Sequence, residues 1–197
     1  MTIPPLSCVA VLDDDADFAA AVARLLVRQG FEARFFTRPE DLLGQMPVQR
    51  FGCVVSDIQM GQIDGFTFAE RLRTRDPCVA LVFMTAWPTT AHAVDAVRCH
   101  GGLDYLEKPL DEERLIAAVR EGLAWSARQC QIEQATGAFT RREREVFDWL
   151  VNGHSNKEIA ERMGISARTV EDHRAAIMAK TRVNGLAQLV ALSRGKA

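Results

Sequence analysis

No apolar run in this 197-residue chain approaches the eighteen or so residues of a membrane-spanning helix, so a protein embedded in a bilayer is not expected. The opening Met1-Thr2-Ile3-Pro4-Pro5 lacks the charged-then-apolar plan of a secretory signal, which points to the cytoplasm. Five cysteines are odd in number and form no Cys-x-x-Cys, which argues against a disulfide framework or a zinc ribbon. Cys8, Cys53 and Cys78 fall in or beside apolar runs and read as small buried thiols. The four histidines, His92, His100, His154 and His173, have no metal-ligand spacing. There is also little net charge, −2, but this balance hides an asymmetry. Residues 1–125 hold 12 basic and 18 acidic side chains, and residues 126–197 hold 12 and 8. An acidic half (−6) and a basic half (+4) suggest two modules with different partners, the second a candidate for nucleic acid.

Three apolar runs in the acidic half break off at residues suited to phosphoryl chemistry. Val9-Ala10-Val11-Leu12 ends in Asp13-Asp14-Asp15, Cys53-Val54-Val55-Ser56 in Asp57, and Val79 to Met84 in Thr85. A shorter run, Tyr105-Leu106-Glu107, ends in Lys108-Pro109. Short apolar runs between helical patterns read as buried parallel strands, whose carboxyl ends share the ligand-binding edge of the sheet. Asp13, Asp14, Asp57, Thr85 and Lys108 are therefore expected to converge. Two carboxylates about 4 Å apart repel by roughly 4 kcal/mol at an effective dielectric of about 20. A bound cation relieves this, and hard oxygen donors that also face phosphate favour Mg²⁺. Lys108 offers a positive charge and Thr85 a hydroxyl, and one carboxylate can then act as nucleophile to form an aspartyl phosphate. Asp15 and Asp17 have the simpler reading of helix-start residues.

From about Ser7 to Trp125 these residues resemble the receiver domain of bacterial two-component response regulators. The resemblance implies that Asp57 is the phosphoacceptor. It implies that Asp14, Asp57 and the backbone carbonyl of Gln59 hold Mg²⁺, with Asp13 acting through water. Thr85 and Lys108 would bind the phosphoryl group, and Tyr105 would be the aromatic switch that turns inward with Thr85. Two departures stand out. Gly61 replaces a usual proline and suggests a looser loop after Asp57. Trp87 occupies a position where smaller or more polar residues are common, to hinder access to Asp57 or to pack over the following helix.

Strands are expected at about 7–12, 32–36, 52–56, 79–84 and 103–106, and helices at about 16–29, 39–45, 65–75, 88–100 and from 111 onward. Such alternation implies an α/β fold with a parallel sheet covered on both faces, and the resemblance adds a five-stranded, flavodoxin-like strand order. A spacing of mostly three or four residues through Leu115, Ile116, Val119, Leu123, Ser126 and Cys130 predicts one helix running on to about Gln134, the alternative being a helix that ends at Gly122. The expected organisation is a receiver over 1–125, a helical linker over 126–137 and an all-α domain over 138–197.

In that last segment, Thr140-Arg141-Arg142-Glu143 and Ser155-Asn156-Lys157-Glu158 fit capping boxes, and Ser166 and Asn184 fit N-caps. Residues 156–180 read as helix, glycine-containing turn and longer helix, the helix-turn-helix plan. Arg-Glu-Arg-Glu-Val, Asn-Lys-Glu-Ile-Ala and Arg-Thr-Val-Glu-Asp-His-Arg occur in register and resemble the LuxR-type DNA-binding domain. The whole chain thus resembles the FixJ-like and NarL-like response regulators. Glu171, Asp172 and Ala175 take base-reading positions by that resemblance. Lys157, Arg168, Thr169, His173, Arg174, Lys180 and Arg182 are candidate phosphate contacts. Acids at 171 and 172 depart from more basic versions. They either lie on a solvated face or accept a hydrogen bond from a base amino group such as N4 of cytosine.

The expected partners are a sensor histidine kinase, promoter DNA, RNA polymerase, and a second copy of the chain on phosphorylation, with no membrane. The competing reading is a haloacid-dehalogenase-type phosphatase with Asp13 as nucleophile and Asp15 as acid, which would leave Asp57 idle. A third is a phosphate sink or protein-binding regulator that never meets DNA.

Overall fold

The computed structural model describes residues 8–61 and 63–193. Ser7 of the first expected strand and the outermost ends of the expected domains, 1–7 and 194–197, lie outside these residues. The chain divides into two compact units, Met1–Ala127 and Arg128–Ala197.

The first unit alternates strand and helix: β1 Cys8–Leu12, α1 Ala16–Arg28, β2 Glu32–Phe36, α2 Pro39–Gln45, β3 Cys53–Asp57, α3 Gly65–Arg75, β4 Ala80–Thr85, α4 Thr90–Arg98, β5 Asp104–Glu107, and α5 from Glu112. The strands form one sheet in the order β2-β1-β3-β4-β5, every pair parallel. This is the flavodoxin-like order. β1, β3 and β4 are buried along their whole length, which is why they appear in the sequence as unbroken apolar runs. Their side chains alternate between faces. Val9, Val11, Val55, Val82 and Met84 pack with Val22 and Leu26 of α1 and Leu115 and Val119 of α5. Ala10, Leu12, Val54, Leu81 and Phe83 pack with Leu42 of α2, Phe68 and Leu72 of α3 and Ala96 of α4. Phe68 is fully buried, and its truncation to Ala would cost about 3–5 kcal/mol. Burial pushes the Cys53 thiol up to about 12, so this cysteine is the inert packing residue expected.

α5 is continuous over Glu112–Thr136. Gly122 does not end it. A methyl group there would meet Cys53 Sγ at 2.9 Å and Ala80 Cβ at 3.2 Å, so the glycine lets α5 lie close against β3 and β4.

The second unit contains α6 Arg141–Val151, α7 Asn156–Met163, α8 Ala167–Thr181 and α9 Leu186–Ser193. Val146, Phe147, Leu150, Ile159, Ala160, Val170, Ile177 and Leu189 form its core. Both capping boxes are present, at Thr140 and Glu143 and at Ser155 and Glu158. Ser166 caps α8 by accepting from the Thr169 N–H. Gly164 turns the chain between α7 and α8 with φ +65, the left-handed backbone that glycine adopts without steric cost. Asn184 departs from its expected capping role. Its own N–H is taken by Gln188 Oε1 at 2.7 Å, and α9 begins two residues later, at Leu186.

Candidate functional site

Register brings the candidate site residues to one edge of the sheet. Leu12 pairs with Ser56, Asp57 with Met84 and Thr85 with Glu107, so Asp13, Asp57, Thr85 and Lys108 follow one another along the carboxyl ends of the strands. Backbone hydrogen bonds fix each: Asp13 N to Phe36 O (3.1 Å), Ile58 N to Met84 O (3.0 Å) and Lys108 N to Thr85 O (2.7 Å).

Asp13 is 1% exposed, and its carboxylate receives the Lys108 ammonium at 2.6 Å and the Asp15 N–H at 3.0 Å. The same Nζ stands 3.2 Å from Asp57 Oδ1 without aligning as a hydrogen bond, so that buried oxygen has no hydrogen-bond donor among the described residues. The ring of Phe18 lies 4.5 Å from Nζ and steadies the ammonium from α1. Asp13, Asp14 and Asp57 each offer a carboxylate oxygen within 4.8 Å of the others. Burial pushes the Asp57 carboxyl above the ordinary carboxylate range. Lys108 pulls it back and Asp13 pushes it further up. An anionic trio with one lysine is short of positive charge, and its hard oxygen donors suit a divalent cation that keeps part of its water shell.

Gly65 sets the tightness of this corner. A Cβ there would collide with the backbone carbonyl oxygen of Asp57 and lie 2.8 Å from Ile58 Cα, while the Gly65 N–H donates to Ile58 O at 2.8 Å. Sequence reading did not single it out, although the Asp64-Gly65 step opening a helix was a visible signal. Gly61 proves to be a tether: its N–H donates to Asp14 Oδ2 at 3.1 Å, a bond proline could not make. Gln59 is exposed in the same loop, two residues beyond Asp57.

Thr85 is fully buried, and its Oγ1 accepts the Trp87 N–H at 3.1 Å, which leaves the hydroxyl proton free to donate. Tyr105 is half-buried against the core beside α4, and its Oη accepts the N–H of Thr89, the N-cap of α4, at 3.4 Å. Trp87 is 68% exposed.

Asp15 caps α1, accepting from the N–H groups of Asp17 and Phe18 at 3.0 and 3.1 Å. It is therefore turned to the helix, and Asp13 is held by Lys108. The phosphatase reading thereby loses its acid.

In the second unit, α8 buries Val170 and Ile177 and exposes Arg168, Glu171, Asp172, Ala175 and Arg182. Thr169, His173 and Arg174 are half-buried, and Arg174 reaches Asn156 Oδ1 at 3.4 Å, bracing α8 on α7. Lys157 is exposed on α7. Lys180 is differently employed: its ammonium sits on both oxygens of buried Glu143, at 2.8 and 2.6 Å. That hydrogen bond, with the Thr140 N–H behind it, holds the Glu143 carboxyl down at about 2.

Residues 9–120 match the response regulator receiver domain, and residues 137–193 match the bacterial regulatory proteins of the luxR family. The transcriptional regulatory protein FixJ of Azorhizobium caulinodans is 37% identical over 94% of this chain and 90% of its own length. FixJ of Bradyrhizobium diazoefficiens is 33% identical over 93% and 92%. The tetrathionate response regulatory protein TtrR of Salmonella typhimurium is 33% identical over 94% and 91%. Among solved structures, full-length FixJ from B. japonicum shares 32% identity with a TM-score of 0.57, covering 96% of this chain and 97% of that one. This chain belongs to the two-component response regulators, as a receiver joined to a LuxR-type DNA-binding domain in the manner of FixJ. The receiver implies a sensor kinase as partner, and the LuxR-type domain implies DNA binding.

Proposed function

We propose that Asp57 accepts a phosphoryl group from a phosphohistidine of a sensor kinase and that the modified protein regulates transcription as a dimer on DNA. The observation that carries this is the state of Asp57 itself: a buried carboxylate with one oxygen lacking a hydrogen-bond donor, among two further carboxylates and one lysine. A carboxylate oxygen of Asp57 attacks phosphorus in line, the P–N bond breaks, and the histidine ring leaves with its electron pair. Asp14, Asp57 and the Gln59 carbonyl would hold Mg²⁺, with Asp13 acting through water, and such an ion supplies charge neutralisation for the phosphoryl oxygens.

Lys108 is positioned to exchange its contact with Asp57 for a phosphoryl oxygen. The Thr85 hydroxyl, with its proton free, donates to another. Moving Thr85 inward opens space beside the core, which Tyr105 fills, giving up the Thr89 N–H at the head of α4. That couples the phosphoryl group to the α4 and β5 surface, a local charge change biasing a two-state element. The chain's chemistry is then limited to its own phosphorylation and dephosphorylation, in the cytoplasm, with RNA polymerase as a further partner at the promoter.

On DNA, α8 would enter the major groove. Lys157, Arg168, Thr169, His173, Arg174 and Arg182 would contact phosphates, and Glu171, Asp172 and Ala175 would face bases. We assign Lys180 to the fold, because its charge is committed to Glu143. The test is dimerisation and promoter-duplex affinity with and without beryllofluoride. Tighter self-association and at least tenfold tighter, salt-dependent DNA binding are expected with the mimic. Equal values in both states would contradict phosphorylation control.

A further inference from the structure

Helix α8 carries a stripe whose charge order is unusual for a surface that meets a polyanion. Arg168, Glu171, Asp172, Ala175 and Ala179 follow one another at helical spacings of three, one, three and four residues, and all are exposed. At about 100° per residue they share one face, opposite the buried Val170 and Ile177. Arg182 ends the stripe at the left-handed C-cap. Positive charge thus stands at both ends, two carboxylates lie in the second helical turn, and two alanines follow.

The fold does not use those acids. Neither caps the helix, whose N-cap is Ser166 and whose first turn holds no acid. Among the described residues neither makes an ion pair, although Arg168 is three and four residues away, while Arg141 and Arg142 on α6 pair with Glu145 at 3.2 and 2.8 Å. In a groove walled by phosphates an unpaired carboxylate is repelled, unless it meets a hydrogen-bond donor. The major groove offers two such donors, N4 of cytosine and N6 of adenine. Adenine places the N7 acceptor beside its amino group, which repels a carboxylate. Cytosine places a carbon-bound hydrogen there, which does not.

We infer that Glu171 and Asp172 make this protein select cytosine at the centre of its half-site. Ala175 takes the methyl group of a neighbouring thymine, and Arg168 and Arg182 hold the flanking phosphates. This rests on the DNA-binding reading above and adds its base preference. The acids act as a filter: every non-cognate duplex leaves both carboxylates unpaired and repelled, and only the right base relieves them.

The test uses the full-length protein with beryllofluoride, and selects binding sites from a random duplex pool with the wild type, Glu171→Gln, Asp172→Asn and the double variant. All four should show the same helical circular dichroism, since the substitutions are exposed and nearly isosteric. The wild type is expected to enrich cytosine at one or two adjacent positions per half-site, by about tenfold over other bases. Glu171→Gln should move one position towards adenine, whose N6 and N7 suit an amide, and both variants should bind random duplex more tightly. An identical selected motif from all four proteins would overturn the inference, because the acids would then be only a solvated face. If no version enriches any motif, the DNA-binding reading itself fails, and this proposal with it.

Discussion

Asp57 and Glu143 are both buried carboxylates with a lysine at hand, and they are held in opposite states. Glu143 takes Lys180 on both oxygens and the Thr140 N–H besides, and its carboxyl is pulled down to about 2. Asp57 shares its lysine with Asp13, lacks a donor on one oxygen, and is pushed up by burial. One carboxylate is satisfied by its own chain. The other is left with an unmet demand for positive charge, which an incoming cation and phosphoryl group would answer. A satisfied buried pair fixes a fold, whereas an unsatisfied one marks a place where something binds.

Removing the lysine should separate the two cases most strongly. Lys108→Met strands Asp13 and Asp57 and is expected to cost about 3 kcal/mol by denaturant unfolding, part of it recovered by millimolar Mg²⁺. Lys180→Met should cost about 2 kcal/mol, less because a third of the Lys180 side chain remains exposed, with no recovery by Mg²⁺. Recovery of both, or of neither, would break the contrast. A methyl group at Gly65 presses on the Asp57 carbonyl. Gly65→Ala should lose about 2 kcal/mol and lower the phosphorylation rate together, since backbone at the end of β3 must shift.

The two acids should also differ in sign. Glu143 has a lowered carboxyl, so its stabilisation is present above the unfolded value near 4.5 and lost as pH falls towards about 2. Glu143→Gln should therefore destabilise at neutral pH and flatten acid unfolding of the second unit. Asp57, whose carboxyl is raised, opposes folding once ionised. Asp57→Asn should stabilise the metal-free protein at neutral pH, read as a rise in Tm. Smallest of all, Gly61→Pro removes the N–H that Asp14 accepts and should change Mg²⁺ affinity by a few-fold, followed by Trp87 fluorescence.

Much of this was legible in the chain because β1, β3 and β4 are buried on both faces and so are written as apolar runs. The expected β3, β4 and β5 each fell one residue early. Asp57 and Thr85 belong to the ladder, pairing with Met84 and Glu107, although their chemistry made them look like loop residues. Capping boxes at Thr140 and Ser155 were readable because both partners lie within four residues. The role of Lys180 was not, since its partner is 37 residues away and nothing local distinguishes it from a phosphate-binding lysine. The Gly61 contact was hidden for a related reason: the N–H that glycine offers in place of proline is used by a carboxylate 47 residues distant.

The most direct measurement is the fate of a labelled phosphoryl group. With Mg²⁺ and a labelled acyl phosphate donor, one acid-stable, hydroxylamine-labile phosphate should appear on Asp57, and promoter affinity should rise with it. Asp57→Asn should show neither. Equal labelling of that variant, label on Asp13, or promoter affinity unmoved by full labelling would contradict the account.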